Sequence, residues 1–309
     1  MAKLDNILVY HWQAWQGFLI SHLVADYCHL EAQYEDTMQT LESRLTPNIR
    51  AVLLQINLTH SDIFPAQRNA LIQALQQRQI PVLNADINDI SKRQLHLLLE
   101  KSGLCSAKAR QQGFDNELLF VKSNLNWGGE VEQRLPDTLK KPFLSQQHKL
   151  VNGWDKYYSA RRADIHPALW LDSSIVIEKY IENPEQSFFR VYGFGEAIVI
   201  VKAHSAALIK KLNEDPRDSN FCFTREQIMK ESCSIPAALQ HNIKTFICHY
   251  PLAYFCLDIV HDLHNYFIID LNLTPYSGEQ SQNDNATHFL IDGAHQHIKN
   301  LQQRELMTV

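Results

Sequence analysis

Short apolar runs alternate with amphipathic stretches along the first ninety or so residues. Ile7-Leu-Val-Tyr10, Ala51-Val-Leu-Leu-Gln-Ile56 and Ile80-Pro-Val-Leu83 are compact runs suited to buried strands. Gln16 to Tyr27 carries Phe18, Leu19, His22, Leu23 and Ala25 at helical spacing, and Arg68 to Gln79 carries Ala70, Leu71, Ala74 and Leu75 on one side. Strand and helix patterns in alternation predict a small parallel α/β lobe. His11, Trp12 and Trp15 fall just after its first strand, where ligand sites of such lobes form. No GxGxxG follows that strand, so dinucleotide binding has no support.

The pattern then changes. Lys92 to Lys101 is a helix that Ser91 or Asp89 can cap and Gly103 can end. Glu117 to Val121 is a strand closed by Lys122, and it runs into Ser-Asn-Leu-Asn-Trp-Gly128-Gly129, whose glycines allow a hinge and close backbone approach. Arg134 to Asp172 is polar; its Lys-Tyr-Tyr-Ser-Ala-Arg-Arg-Ala-Asp run suggests a solvated helix face or a basic rim for an acidic substrate. Ser174 to Ile181 is a strand that then turns, and Ser187 to Lys202 is a hairpin about Gly193 and Gly195. Leu212 to Phe223 has the composition of a polar loop, and Ser234 to Cys248 of a helix. Tyr254 to Val260 and Tyr266 to Asn272 form a second hairpin, and a last helix ends near Arg304.

Polar residues inside these apolar runs carry the candidate chemistry. Asp258, Asp270 and Asn272 interrupt the second hairpin. Residues two apart share a strand face, so Asp270 and Asn272 project together, and pairing can bring Asp258 to them. Two carboxylates and an amide oxygen suit Mg²⁺, a hard cation that shares its ligands with phosphates; an edge hairpin with solvated acids is the plainer reading. Arg190 interrupts an apolar strand, where an uncompensated charge is expensive, so an anionic partner is expected. Lys202 lies an even number of residues further on, across a turn. A salt bridge is the alternative for both.

Composition narrows the field. The chain has 309 residues, 45% hydrophobic and 20% charged, enough for two or three lobes of a soluble protein. Its net charge of −5 argues against nucleic-acid binding. Six scattered cysteines without a CxxC pair indicate free thiols in a reducing compartment. No run approaches the length of a membrane helix, and the N-terminus lacks a signal-peptide pattern, so a cytoplasmic protein is expected. A homodimer is left open. The fifteen histidines show no zinc spacing.

Taken in order, Lys92, Lys122, the Glu178-Lys179-Tyr180-Ile181 stretch, Glu185, Arg190, Asp258 in Leu-Asp-Ile-Val, and Asp270-Leu-Asn272-Leu-Thr-Pro275 resemble the motifs of the ATP-grasp superfamily. That superfamily includes D-alanine–D-alanine ligases, glutathione synthetases and ribosomal-protein glutamate ligases. The resemblance spans roughly residues 85 to 280 and departs at Ser91 and Cys105, where the family usually has Asp and Pro. It implies an α/β chain of the ATP-grasp fold: a parallel pre-ATP-grasp lobe at 1–86, a linker helix and lid lobe at 87–180, and a C-terminal lobe at 181–309. It implies that Lys92 and Lys122 bind ATP phosphates, that Glu178 accepts from the adenine amino group, and that the backbones of Tyr180 and Ile181, beside Lys179, read the ring edge. Glu185 would hold the ribose, Arg190 and Lys202 would face the reacting groups, and Asp258, Asp270 and Asn272 would hold one or two Mg²⁺, with Mn²⁺ as an alternative. Tyr276, Ser277 and Glu279 would border the second substrate. The implied activity is ATP-dependent ligation of a small-molecule or peptide carboxylate to an amine through an acyl phosphate. A phosphotransferase and a non-catalytic ATP-binding module are the alternatives.

Overall fold

A computed structural model of the chain describes residues 2–12, 15–33, 36–63, 67–140, 142–145, 147–153, 156–207, 219–276 and 284–307. Three sheets organise it. The first is parallel, with strands β1 (Ile7–Trp12), β2 (His29–Glu31), β3 (Ala51–Ile56) and β4 (Val82–Leu83) in the order β2-β1-β3-β4. Helices α1 (Leu19–Leu23), α2 (Met38–Glu42) and α3 (Arg68–Gln77) connect its strands. The α1 helix is far shorter than the Gln16–Tyr27 periodicity predicts. Tertiary pairing takes its flanks: Phe18 bridges Tyr276, and Val24 bridges Leu4.

Helix α4 (Lys92–Lys101) follows, with the Ser91 side chain accepting from Gln94 N and Gly103 taking φ +71° just beyond its end. Strand β5 (Leu118–Ser123) lies between β6 (Tyr158–Arg161) and β7 (Ile175–Lys179) in a three-stranded antiparallel sheet. The basic run around Tyr158 is therefore an edge strand and not a helix. Its Arg162 is buried, paired with Glu117 and the carbonyl of Arg110. The short helices α5 (Asp137–Lys140) and α6 (Pro167–Leu171) complete this lobe.

The third sheet has the order β10-β9-β8-β11-β12 and is antiparallel throughout. Its strands are β8 (Ser187–Phe194), β9 (Ala197–His204), β10 (Ser219–Thr224), β11 (Tyr254–His261) and β12 (Tyr266–Asn272). β10 lies where the sequence predicts a polar loop; Phe221 and Phe223, two apart, pair with Ile200 and Ile198, while residues 212–218 lie outside the described part. One face of this sheet buries Phe189, Val191, Ile198, Ile200, Leu257 and Ile259 against α4, α7 (Arg225–Met229) and α8 (Ala237–His249). The other face joins Tyr192, Phe194, Val199 and Tyr254 to the N-terminal lobe and to the helix α9 (Asp284–Met307). The linker helix α4 thus belongs to the core of the C-terminal sheet: Leu95, Leu98 and Leu99 are buried there. Among the described residues no helix is long and apolar enough to cross a membrane.

Candidate active site

The β11–β12 hairpin has the register the alternating pattern requires. Asp258 and Asp270 are Cα partners, and Cys256 pairs with Asn272. A bulge follows at once, since Ile259 pairs with Ile268 and leaves Ile269 over; bulges bend a strand and re-aim its side chains. On the other flank of β11, Arg190 of β8 is the Cα partner of Asp258. Arg190, Asp258 and Asp270 therefore form one row across three strands. The Arg190 Nε donates to Asp258 Oδ1 at 3.2 Å, and its guanidinium lies 5.3 Å from the Phe188 ring. Asn272 Oδ1 accepts from Thr274 N at 2.8 Å, which orients its amide.

Two lysines from outside this sheet reach β12. Lys92, in the first turn of α4, places Nζ 3.2 Å from Asp270 Oδ1 and 3.1 Å from Asn126 Oδ1. Lys122 on β5 places Nζ 3.3 Å from the Ile269 carbonyl and 2.8 Å from Glu178 Oε2. Both are almost fully buried, at 3% and 4% exposure, so each charge is held by partners and not by water. Glu178, on β7, also has His96 Nε2 3.1 Å from Oε1. Burial alone pushes the Glu178 carboxyl up, but Lys122 and His96 outweigh it and hold it down to about 2.

Other expected residues stand elsewhere. The β8–β9 register pairs Lys202 with Phe189 and Val201 with Arg190, so Lys202 leaves the sheet on the face opposite Arg190. It lies 3.6 Å from Glu185, which is itself half exposed beside His261. The Glu178 side chain points to Lys122 and His96. Lys179 N donates to Ala107 O and Tyr180 N to Leu118 O, so of the hinge backbone it is Ile181 that follows these engaged groups. Ile181 packs with Phe267 and Ile269 on a small cluster of Phe188, Ala203 and Val260. Tyr276 is exposed, while Ser277 and Glu279 lie outside the described residues.

Three contributors escape the sequence reading. His96 is one turn beyond Lys92 on the same helix face, a spacing that marks it in retrospect. Asn126 joins Lys92 to the hairpin through its amide, which donates to Leu271 O at 3.4 Å. The apolar cluster around Phe188 carries only the signal of alternate positions on the Arg190 strand. The loop after Lys122 is held by packing: a Cβ on Gly128 would stand 2.5 Å from Gly153 Cα, and one on Gly129 2.9 Å from the His148 ring.

The donor set along β11 and β12 fits a divalent cation in chemistry. Two carboxylates and one amide oxygen are hard ligands. Each carboxylate here has a cationic side chain against it, Arg190 on Asp258 and Lys92 on Asp270, as acids kept out of water require.

The chain has the ATP-grasp fold. A D-alanine–D-alanine ligase from Bacillus anthracis, solved with ATP, superposes with a TM-score of 0.51 at 14% identity, over 98% of this chain and 100% of that one. The ATP-grasp ligase PsnB with its minimal precursor gives 0.52 at 11% identity, over 95% and 99%. The D-cycloserine synthetase DcsG gives 0.50 at 11%, over 94% and 99%. No protein-family model and no curated protein sequence matches the chain.

Proposed function

We propose that this protein is an ATP-dependent ligase that joins a carboxylate to an amine and releases ADP and phosphate. The observation that carries the reading is the Arg190–Asp258–Asp270 row with Lys92, from outside the sheet, set directly on Asp270. Cations and anions of the kinds that Mg²⁺ and triphosphate demand converge on one strand pair, and in the free protein they neutralise one another. Asp258, Asp270 and Asn272 would hold Mg²⁺, which when bound draws charge from the transferring phosphoryl group. Lys92 and Lys122 exchange their carboxylate partners for phosphate oxygens. Ile181 and the Phe188 cluster, an apolar wall with a backbone edge beside it, would receive the purine.

This chain's residues then work by placement and charge. A substrate carboxylate attacks the γ-phosphorus, giving an acyl phosphate and ADP. An amine adds to the acyl carbon, and the tetrahedral intermediate expels phosphate while its proton leaves with solvent. Arg190, set beside Asp258, stabilises the developing negative oxygen. Lys202, which leaves the sheet on the face opposite Arg190, pairs with Glu185.

An ADP-release screen with Mg²⁺, amino acids and small carboxylates tests the reading. ADP and an amide product, identified by mass, are expected only when acid and amine are both present. A stable phosphorylated acceptor would instead make the protein a phosphotransferase, and ATP binding without ADP under any condition would make it a binding module.

A further inference from the structure

The N-terminal sheet leaves a set of polar atoms unaccounted for at one end. The chain passes from β1 to β2 on one side and returns to β3 on the other, so the β1/β3 boundary is the point where strand order reverses. In open α/β sheets ligands bind in the crevice outside the carboxyl ends of the strands at that boundary. His11 and Gln55 stand at those ends as Cα partners, so their side chains leave the sheet on one face. Each is only 3% exposed. His11 Nε2 lies 2.9 Å from His29 Nδ1, but His11 Nδ1 and both amide atoms of Gln55 are buried with no hydrogen-bond partner. Burying such an atom without a partner is costly, and here three fall together on neighbouring residues. Trp15 stacks on His29 at 4.4 Å and 14°, and lies 5.2 Å from His11.

The two buried side chains are uncharged, while Arg44, Asp26 and Glu31 act on His29 beside them. Burial, with His29 adding to it, lowers His11 to about 4, so the ring is neutral at physiological pH. A glutamine amide offers an acceptor oxygen and two donors, which another neutral donor–acceptor group complements better than a carboxylate or an ammonium does. This end of the sheet also adjoins the candidate active site. Asn57, two residues past Gln55, has its Oδ1 3.0 Å from Thr274 Oγ1, and Thr274 holds Asn272. We propose that the carboxyl end of the β1/β3 boundary, where His11 and Gln55 lie side by side with Trp15 and His29 packed beside His11, is a subsite for an uncharged carboxamide group on one of the two substrates. Its place in the reaction rests on the ligase reading; its binding chemistry does not.

Two measurements keep these apart. In the first, full-length protein labelled with ¹⁵N in its histidine rings is titrated with propionamide and, separately, with the isosteric propionate, without ATP. Propionamide is expected to shift the His11 Nδ1 resonance saturably in the millimolar range, propionate is not, and Gln55→Leu removes the effect. Gln55→Met repeats the test should the leucine variant fold poorly. No saturable shift, an equal shift with propionate, or a shift retained in both variants overturns the proposal and leaves the orphan atoms to an ordered water only. In the second, ADP release is compared between substrates that differ only as amide and acid. Gln55→Leu is expected to raise KM for the amide at least tenfold with KM for ATP unchanged; an unchanged amide KM also overturns the proposal. If the wild type releases no ADP with any pair, the ligase reading fails while the titration still judges the subsite.

Discussion

Asp270 carries two duties that a substitution separates. In the free protein it neutralises the buried ammonium of Lys92, and in the proposed reaction it holds the cation. Asp270→Asn is expected to reduce ADP release at least ~100-fold, the scale of losing one electrostatic contact to a developing charge. It should also cost stability, because Lys92 loses its carboxylate partner: about 2 kcal/mol, below the ~3–5 of a fully buried pair since Asp270 keeps some exposure. Urea melts measure the second effect, and circular dichroism checks that the variant folds. Glu178 makes a pH prediction. Its folded value of about 2 lies below the ordinary 4.5, so its ionised form stabilises the fold above pH ~4.5, and that contribution is lost as the pH falls toward 2. Thermal melts from pH 5 to pH 3 should show a falling Tm, and Glu178→Gln should flatten that slope while lowering Tm at neutral pH. The acids themselves were legible in the sequence because a charge inside an apolar run stands out. One partner was not: His96 looks like one of fifteen histidines until β7 is folded against α4.

At the scale of elements, strands with clean alternation declared themselves and edge strands did not. Tyr158–Arg161 and Ser219–Thr224 have polar neighbours and too few apolar positions to set a period, and each becomes a strand only because β5 or β9 offers it a ladder. Lys202 shows the same limit more sharply. Counting residues from Arg190 suggests a shared face, but the turn at Gly195 sets a register in which Lys202 opposes Phe189. The loop after Lys122 shows that glycines of one appearance can serve packing. Gly128 has φ +66° and abuts the backbone of Gly153, so Gly128→Ala meets both backbone strain and a clash. A loss of about 2 kcal/mol is expected, seen as faster hydrogen exchange in 123–129 and 148–153 with protection of β8 and β11 retained. Unchanged exchange in those segments would sink this account of the loop.

For the whole molecule, three ion pairs tie the candidate site together: Lys92 with Asp270, Lys122 with Glu178, Arg190 with Asp258. Each joins groups from different elements, and the first two tie the hairpin and β7 to lysines from other parts of the chain. A non-hydrolysable ATP analogue with Mg²⁺ at a hundred times its Kd should stabilise the protein by about 2.7 kcal/mol. The accompanying rise in Tm, followed by differential scanning fluorimetry, should disappear with EDTA. The sequence by itself determined the parallel N-terminal lobe, the two hairpins, and the placement of Asp258, Asp270 and Asn272 within the second of them. Those features depend on local period and local charge, which a chain carries without folding. Only the tertiary structure decided which charge meets which, that Arg190 rather than Lys202 shares the acids' face, and that α4 joins the C-terminal core. It also decided that His11 and Gln55 end up buried side by side. Strand register and lobe contacts join residues tens to hundreds of positions apart, and no window along the chain contains both partners.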